Sequence, residues 1–411
     1  MEDLKEYFYS HFKTEEDFSK KYGMFAPIVK AYIESLISYK FITTTEPVDK
    51  LINTNIKLVK KFSVLNNLRD MNFANNEDNI IKNLTALAIN HFSDENEKGI
   101  VDVAGTDIEV LLPKVFEGNK DYSNKTLNEF LKIFEQYSQT PEEANSKKDK
   151  FIKTIVHELN HAICHKEFFY VKNGELINDS STFTKEELYT LPYTEFAGGI
   201  RIADYYKDGK VLIRSAGDRI HEGITEFLAW MLMSSKFIKQ LRFAPDVSLS
   251  RSYQPYPSLI ELYMVADPSF ITSAYFKIPT PEQKNKFKEL VNWQENVLTV
   301  FDDFNKLNDN STDKQINEAE TKLISVLEKQ MDKILEIAKE KNLENKKLQM
   351  MSRSTYSFLD PYYWVEKAFD YANFKERDHE LADAYANQFK QFRENKSQEF
   401  IGLVEDLPTN K

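Results

Sequence analysis

HELNHAICH, residues 157–165, sets three of the chain's seven histidines on nine consecutive positions. Its reading decides the fold, because a polar stripe on an ordinary helix and a metal-holding helix ask different things of the rest of the chain. At about 100° per residue, Phe151, Ile152, Ile155, Val156, Leu159, Ala162 and Ile163 share one arc of a helix, and His157, Glu158, His161 and Cys164 share the opposite arc. Histidines four apart stand one turn above each other, so His157 and His161 can chelate one ion through their imidazole nitrogens. Glu158, one step round the helix, would face water at that ion and is the candidate general base. Upstream, Thr140, Pro141 and Glu143 carry a helix-start signature, a capping box with proline at the first helical position.

HExxH is short enough to arise by chance, so a third ligand has to decide between the two readings. His165 is excluded, because it lies about 12 Å from His157 along the same helix axis; it is a packing or outer-layer residue. The extended pattern HExxHxxGxxH fails at Cys164 and Glu167, which removes a metzincin. GDRIHEGITEFLAWML, residues 217–232, offers a better partner. Asp218 suits an N-cap, and Ile220, Ile224, Phe227, Leu228 and Met231 form the apolar face of a second helix. The other face carries Glu222, Thr225, Glu226 and Ala229. Glu222 can complete a His2Glu set that leaves the fourth position of a zinc ion open. Glu226, one turn on, can accept from the free ring nitrogen of a ligand histidine and fix its tautomer. By itself this segment would read as an exposed acidic helix face; paired with the HELNH helix it reads as the missing ligand.

Working outward, 411 residues with 41% hydrophobic content can bury a full core and favour more than one structural unit. A net charge of -11 provides no field for nucleic acid or an anionic membrane, so neither is an expected partner. The opening MEDLKEYFYSHFKTEEDFSKK has charges where an export signal needs an apolar core. The longest apolar stretch, FLAWMLM at 227–233, is far short of a membrane span. The single cysteine, Cys164, rules out an intramolecular disulfide and fits a reducing compartment. The expected location is cytoplasmic, although export by a signal-independent route would look the same.

The pattern predicts a predominantly α-helical α+β chain. Residues 1–92 form a helical N-terminal region, with helical spacing in FAPIVKAYIESLISYKF and IIKNLTALAINHF. Residues 93–275 form the core. There GIVDVAGTDIEVLLP suggests two strands about Ala104-Gly105, and GGIRIADYYKDGKVLIRSAG suggests a hairpin turning at Asp208-Gly209. Residues 276–411 return to helix, most clearly at Ile316, Leu323, Leu327, Met331, Ile334 and Ala338.

HELNH followed by a helix bearing HEGITE resembles the gluzincin group of zinc metallopeptidases, in which a glutamate from a later helix completes HExxH. The resemblance covers about 99–265 and rests on these two helices. It departs from the group at His221, where asparagine usually precedes the ligand glutamate, and in the long interval from 162 to 221. The GAMEN-like stretch of the aminopeptidase branch is absent. The resemblance implies a zincin-like core with a small sheet framing a cleft, and zinc-dependent hydrolysis of peptide bonds in a peptide or protein substrate. Glu158 would be the base and Tyr253 the donor to the oxyanion. Tyr256 and His221 are the other candidates for that donor. Extended substrates would add to a sheet edge from 99–112 or 198–214. A zinc-containing binding or regulatory protein on the same scaffold, without turnover, is the alternative; a scaffold role in which the site is irrelevant is a third.

Overall fold

Thr140 stands in extended backbone (φ -133°, ψ 157°) and its hydroxyl accepts from Glu143 N, while Pro141 opens the helix with no N–H to satisfy. The returning carboxylate of Glu143 accepts from Gln139 N at 2.7 Å, one residue before the cap. The HELNH helix therefore begins where the sequence predicts. In the computed structural model, the described residues are 4–59, 99–101, 107–111, 125–184, 193–198, 201–206, 211–243 and 275–277, with 187 and parts of 280–329.

In chain order the elements are α1 (Leu4–Ser10), α2 (Glu15–Tyr22), α3 (Ala26–Ser38), α4 (Glu46–Asn53), β1 (Asn55–Val59), β2 (Gly99–Val101), β3 (Asp107–Leu111) and α5 (Leu127–Gln136). There follow α6 (Pro141–Ile163), β4 (Lys166–Lys172), β5 (Glu175–Ile177), β6 (Tyr193–Ala197), β7 (Arg201–Tyr206), β8 (Val211–Ala216), α7 (Asp218–Met233) and α8 (Lys236–Lys239). Among the described residues the chain is α+β with helix predominating. None of these helices is long and apolar enough to cross a membrane.

The sheets lie on either side of α6 in sequence. The first has the order β1-β3-β2, with β2 antiparallel and β1 parallel to β3. The β2–β3 pair is the predicted strand pair; its turn at Ala104-Gly105 lies outside the described residues. β1 corrects the reading of 1–92 as helices alone, since NIKLV pairs residue for residue with 107–111. The second sheet has the order β5-β4-β6-β7-β8, antiparallel throughout. Asn173 (φ 55°) and Gly174 (φ 82°) make the two-residue β4–β5 turn, a left-handed pair that asparagine and glycine accept at least cost. The predicted 198–217 hairpin appears as β7 and β8, with Asp208-Gly209 outside the described residues.

The chain divides into two compact units. Residues 1–221, 225–252 and 272–283 form the first; 222–224, 253–271 and 284–411 form the second. Glu222–Ile224 is one interior turn of α7, so its backbone is held by a helix whose other residues belong to the first unit. In the second unit, 313–319 is helical at the start of the predicted amphipathic stretch, with Ile316 buried.

The first unit's core is the apolar arc of α6 and what covers it. Ile152, Ile155, Val156, Leu159 and Ile163 are fully buried, as are Ile28, Val29, Ile33 and Leu36 of α3. The ring of Phe151 packs against Phe130 and Phe134 of α5, at centroid distances of 5.1 and 6.1 Å. α4 clamps the far end of α6. Lys50 Nζ donates to the Cys164 carbonyl at 2.9 Å, a cation at a helix C-terminus, and Glu46 Oε1 pairs with both Lys50 Nζ (2.9 Å) and His165 Nδ1 (2.7 Å). His165 thus lies just past the end of α6, not on its axis as the sequence reading has it, and is held by Glu46.

The hydrogen bond from His165 pulls the Glu46 carboxyl from its ordinary 4.5 to about 2; burial opposes this and Lys50 adds to it. The folded pKa lies below the unfolded one, so this contribution is complete above about pH 4.5 and drains away as pH falls toward 2. With 37% of the Glu46 side chain exposed, solvent screening limits it to roughly 1 kcal/mol. Glu46→Gln should lower the melting temperature at pH 7 and narrow its gap to wild type at pH 3. Parallel melting curves for the two proteins from pH 7 to pH 3 would count against the clamp.

Candidate metal centre

α7 lies along the front arc of α6, and its sequence explains how. Gly217 (φ 77°) turns the chain out of β8 in left-handed backbone, and the helix starts at Asp218 with no side-chain cap. Asp218 is therefore the first helical residue and not the predicted N-cap. Ile220, Ile224, Phe227 and Leu228 are buried as predicted; so are Thr225, Glu226 and Ala229 on the other face. The acidic face is thus buried at Thr225, Glu226 and Ala229 and half-buried at Glu222, while Met231 of the predicted apolar face is half-buried. His157 and Glu158 are correspondingly 5% and 7% exposed.

Ligand atoms of His157, His161 and Glu222 all lie within 4.8 Å of one another. The two histidine Nε2 atoms are 3.1 Å apart. On the opposite side of each ring Nδ1 is engaged: His157 Nδ1 with Glu226 Oε2 at 3.2 Å, and His161 Nδ1 with His221 Nε2 at 3.1 Å. A carboxylate can only accept, so His157 carries its proton on Nδ1 and turns the Nε2 lone pair inward. Two imidazole nitrogens and a carboxylate oxygen this close together, with the second nitrogen of each ring engaged, are a set that could hold a divalent cation.

Glu226 is 1% exposed, and its pKa balance is informative. Burial pushes the carboxyl up, but the His157 hydrogen bond and the charge of Lys153 outweigh it, and the net shift is downward. Lys153 Nζ donates to the other oxygen, Glu226 Oε1. Nothing in the sequence marks Lys153 out, although it sits four residues before His157, where a front-arc contact is available.

Two further groups build the surroundings. His221 stacks on Tyr275 at 5.4 Å, and Tyr275 OH meets Thr225 Oγ1 at 2.7 Å. Asn160, between the ligands, accepts from Tyr32 OH at 2.8 Å and donates to the Thr225 carbonyl at 3.3 Å. His221, offered by the sequence as an oxyanion donor, is instead placed against the back of His161. Tyr253 and Tyr256 lie outside the described residues. Glu158 is on the same helix as both histidines and buried.

Gly198 gives this arrangement a test. Its φ is +58°, and a Cβ there would lie 3.0 Å from His221 Nδ1 and 3.1 Å from Tyr275 Cδ2. Gly198→Ala should therefore strain the backbone and press on the stacked pair, at a cost of roughly 1 to 3 kcal/mol measured by denaturant unfolding. Unchanged stability would show that the turn yields without disturbing His221.

Compared with family models, curated proteins and solved structures, the chain matches none.

Proposed function

We propose that this chain is a zinc-dependent metallopeptidase of gluzincin type, with a zincin-like core built on α6 and α7. One observation carries the reading: His157, His161 and Glu222 converge within 4.8 Å, from two helices far apart in sequence. The engagement of His157 Nδ1 by Glu226 supports it, because a ligand histidine needs its second nitrogen fixed. Glu158 favours turnover over a storage or structural role, since a site that only holds an ion has no use for a base beside it. The substrate is a peptide or protein. A cytoplasmic setting suits the buried free thiol of Cys164.

When bound, zinc would polarise the scissile carbonyl and lower the pKa of the attacking water. His157, His161 and Glu222 are the residues that would hold it. Glu158 accepts the water's proton as the new C–O bond forms, then delivers it to the leaving nitrogen as the C–N bond breaks. Glu226 and His221 keep the ligand rings in place through both steps. Tyr253 is the proposed donor to the oxyanion.

The direct test is to incubate a proteome-derived peptide library with wild type and with Glu158→Gln, both loaded with zinc, and compare new amino termini. Cleavages present only with wild type support a peptidase. If zinc-replete wild type and Glu158→Gln yield the same termini, the chain is instead a binding protein on this scaffold.

A further inference from the structure

We infer that Lys153 is a positioning residue of the metal centre, holding the Glu226 carboxylate so that one oxygen is presented to His157 Nδ1. The inference rests on the metallopeptidase reading of the site and adds to it a residue on the far side of the ligand's own partner.

Lys153, His157 and His161 are spaced four apart on α6, so the ammonium and the two imidazoles rise up one face of one helix. Glu226 of α7 meets the lower two together: Oε1 takes the Lys153 proton donor and Oε2 faces His157 Nδ1 at 3.2 Å. Lys153 is 6% exposed and Glu226 1%. Lysine is rarely buried this deeply unless paired, and a carboxylate in such a dry place needs a compensating charge.

The sharing of that carboxylate is what makes the pair more than a tie between helices. A carboxylate behind a ligand imidazole fixes the ring only while one of its oxygens keeps facing Nδ1. With Oε1 held by the ammonium, the carboxylate is fixed and its other oxygen is presented to the imidazole. Lys153 also balances the charge of Glu226, so that carboxylate adds no net charge behind the ligand ring. A second buried ion pair on the same helix provides an internal comparison: Asp149, one turn before Lys153, accepts from Arg242 Nε at 3.1 Å and from Phe243 N at 3.1 Å.

The test measures zinc affinity of the full chain by competition with a chromophoric chelator, with zinc alone as the probe. Lys153→Met should weaken zinc binding by about 10- to 100-fold, the range for outer partners of a metal ligand. Lys153→Arg should recover most of that loss, and Arg242→Met should leave affinity within about twofold of wild type. The absorption bands of the cobalt(II)-substituted protein should shift in Lys153→Met and not in Arg242→Met, a response that loss of a helix tie alone would not produce. In a Glu226→Gln background, Lys153→Met should cost nothing further. That neutral pair also serves if Lys153→Met alone fails to fold, since removing both charges is tolerated far better than removing one. Lys153→Met with wild-type affinity, or a full loss repeated in the Glu226→Gln background, overturns the inference and leaves the metal centre standing. Wild type that binds no zinc overturns both.

Discussion

His161→Ala is expected to strip zinc from the protein and abolish hydrolysis together. The imidazole is one of the three proposed donors, whose ligand atoms lie within 4.8 Å of one another, and neither neighbouring histidine can replace it: His165 is tied to Glu46, and His221 lies behind the ring. Loss of a direct donor should cost more than the about 100-fold that marks the upper range for outer partners. Glu222→Ala should behave in the same way. Glu226→Ala, which leaves all three donors in place, should weaken binding by about 10- to 100-fold. Metal content after dialysis, with a competition titration for the weakened proteins, separates these classes. If Glu226→Ala lost the ion while Glu222→Ala kept it, the two glutamates would have to exchange roles.

Glu158→Gln is expected to produce the opposite pattern, with zinc retained and turnover lost. The carboxamide has nearly the shape of the carboxylate and can remain in its buried place, but it cannot accept a proton from water. Removing a positioned base typically slows a reaction by about 10²- to 10⁴-fold, so cleavage should fall at least that far while the melting temperature and zinc content hold. The rate should be followed on whichever peptide the library comparison yields. Wild-type cleavage in Glu158→Gln would disprove the mechanism, and loss of zinc would show that Glu158 supports the ion.

The parts of this centre that can be read from sequence are those encoded at helical spacing. His157, His161 and the apolar arc behind them lie within one turn-by-turn pattern, as do Glu222 and Glu226 on α7. The β2–β3 and β7–β8 pairs are legible because their partners are close in sequence. β1 is not: NIKLV is a short run without a turn signal, and its parallel partner begins at Asp107, far along the chain. Lys153 escapes a sequence reading for a related reason. A lysine among the charges of α6 reads as solvated, and Glu226, which joins it through folding, helps make its burial tolerable. Gly217 shows the limit of cap rules, since Asp218 has the better composition for an N-cap but the left-handed turn out of β8 claims the preceding glycine.

The bond between Tyr32 and Asn160 has a consequence for how this chain can change over generations. The hydroxyl of Tyr32 on α3 and the amide of Asn160 on α6 are both fully buried; the hydroxyl donates to the amide oxygen, and the amide nitrogen donates to the Thr225 carbonyl. A mutation in either alone strands a polar group away from water, at a cost of about 1 to 3 kcal/mol, whereas exchanging both removes donor and acceptor together and costs less than the two single changes combined. Descendants should therefore keep the two as a couple or replace them as a couple, the intermediate genotypes being selected against. The amino-terminal helices would then inherit the constraints of the histidines that flank Asn160, even though none of their residues is among the proposed metal ligands.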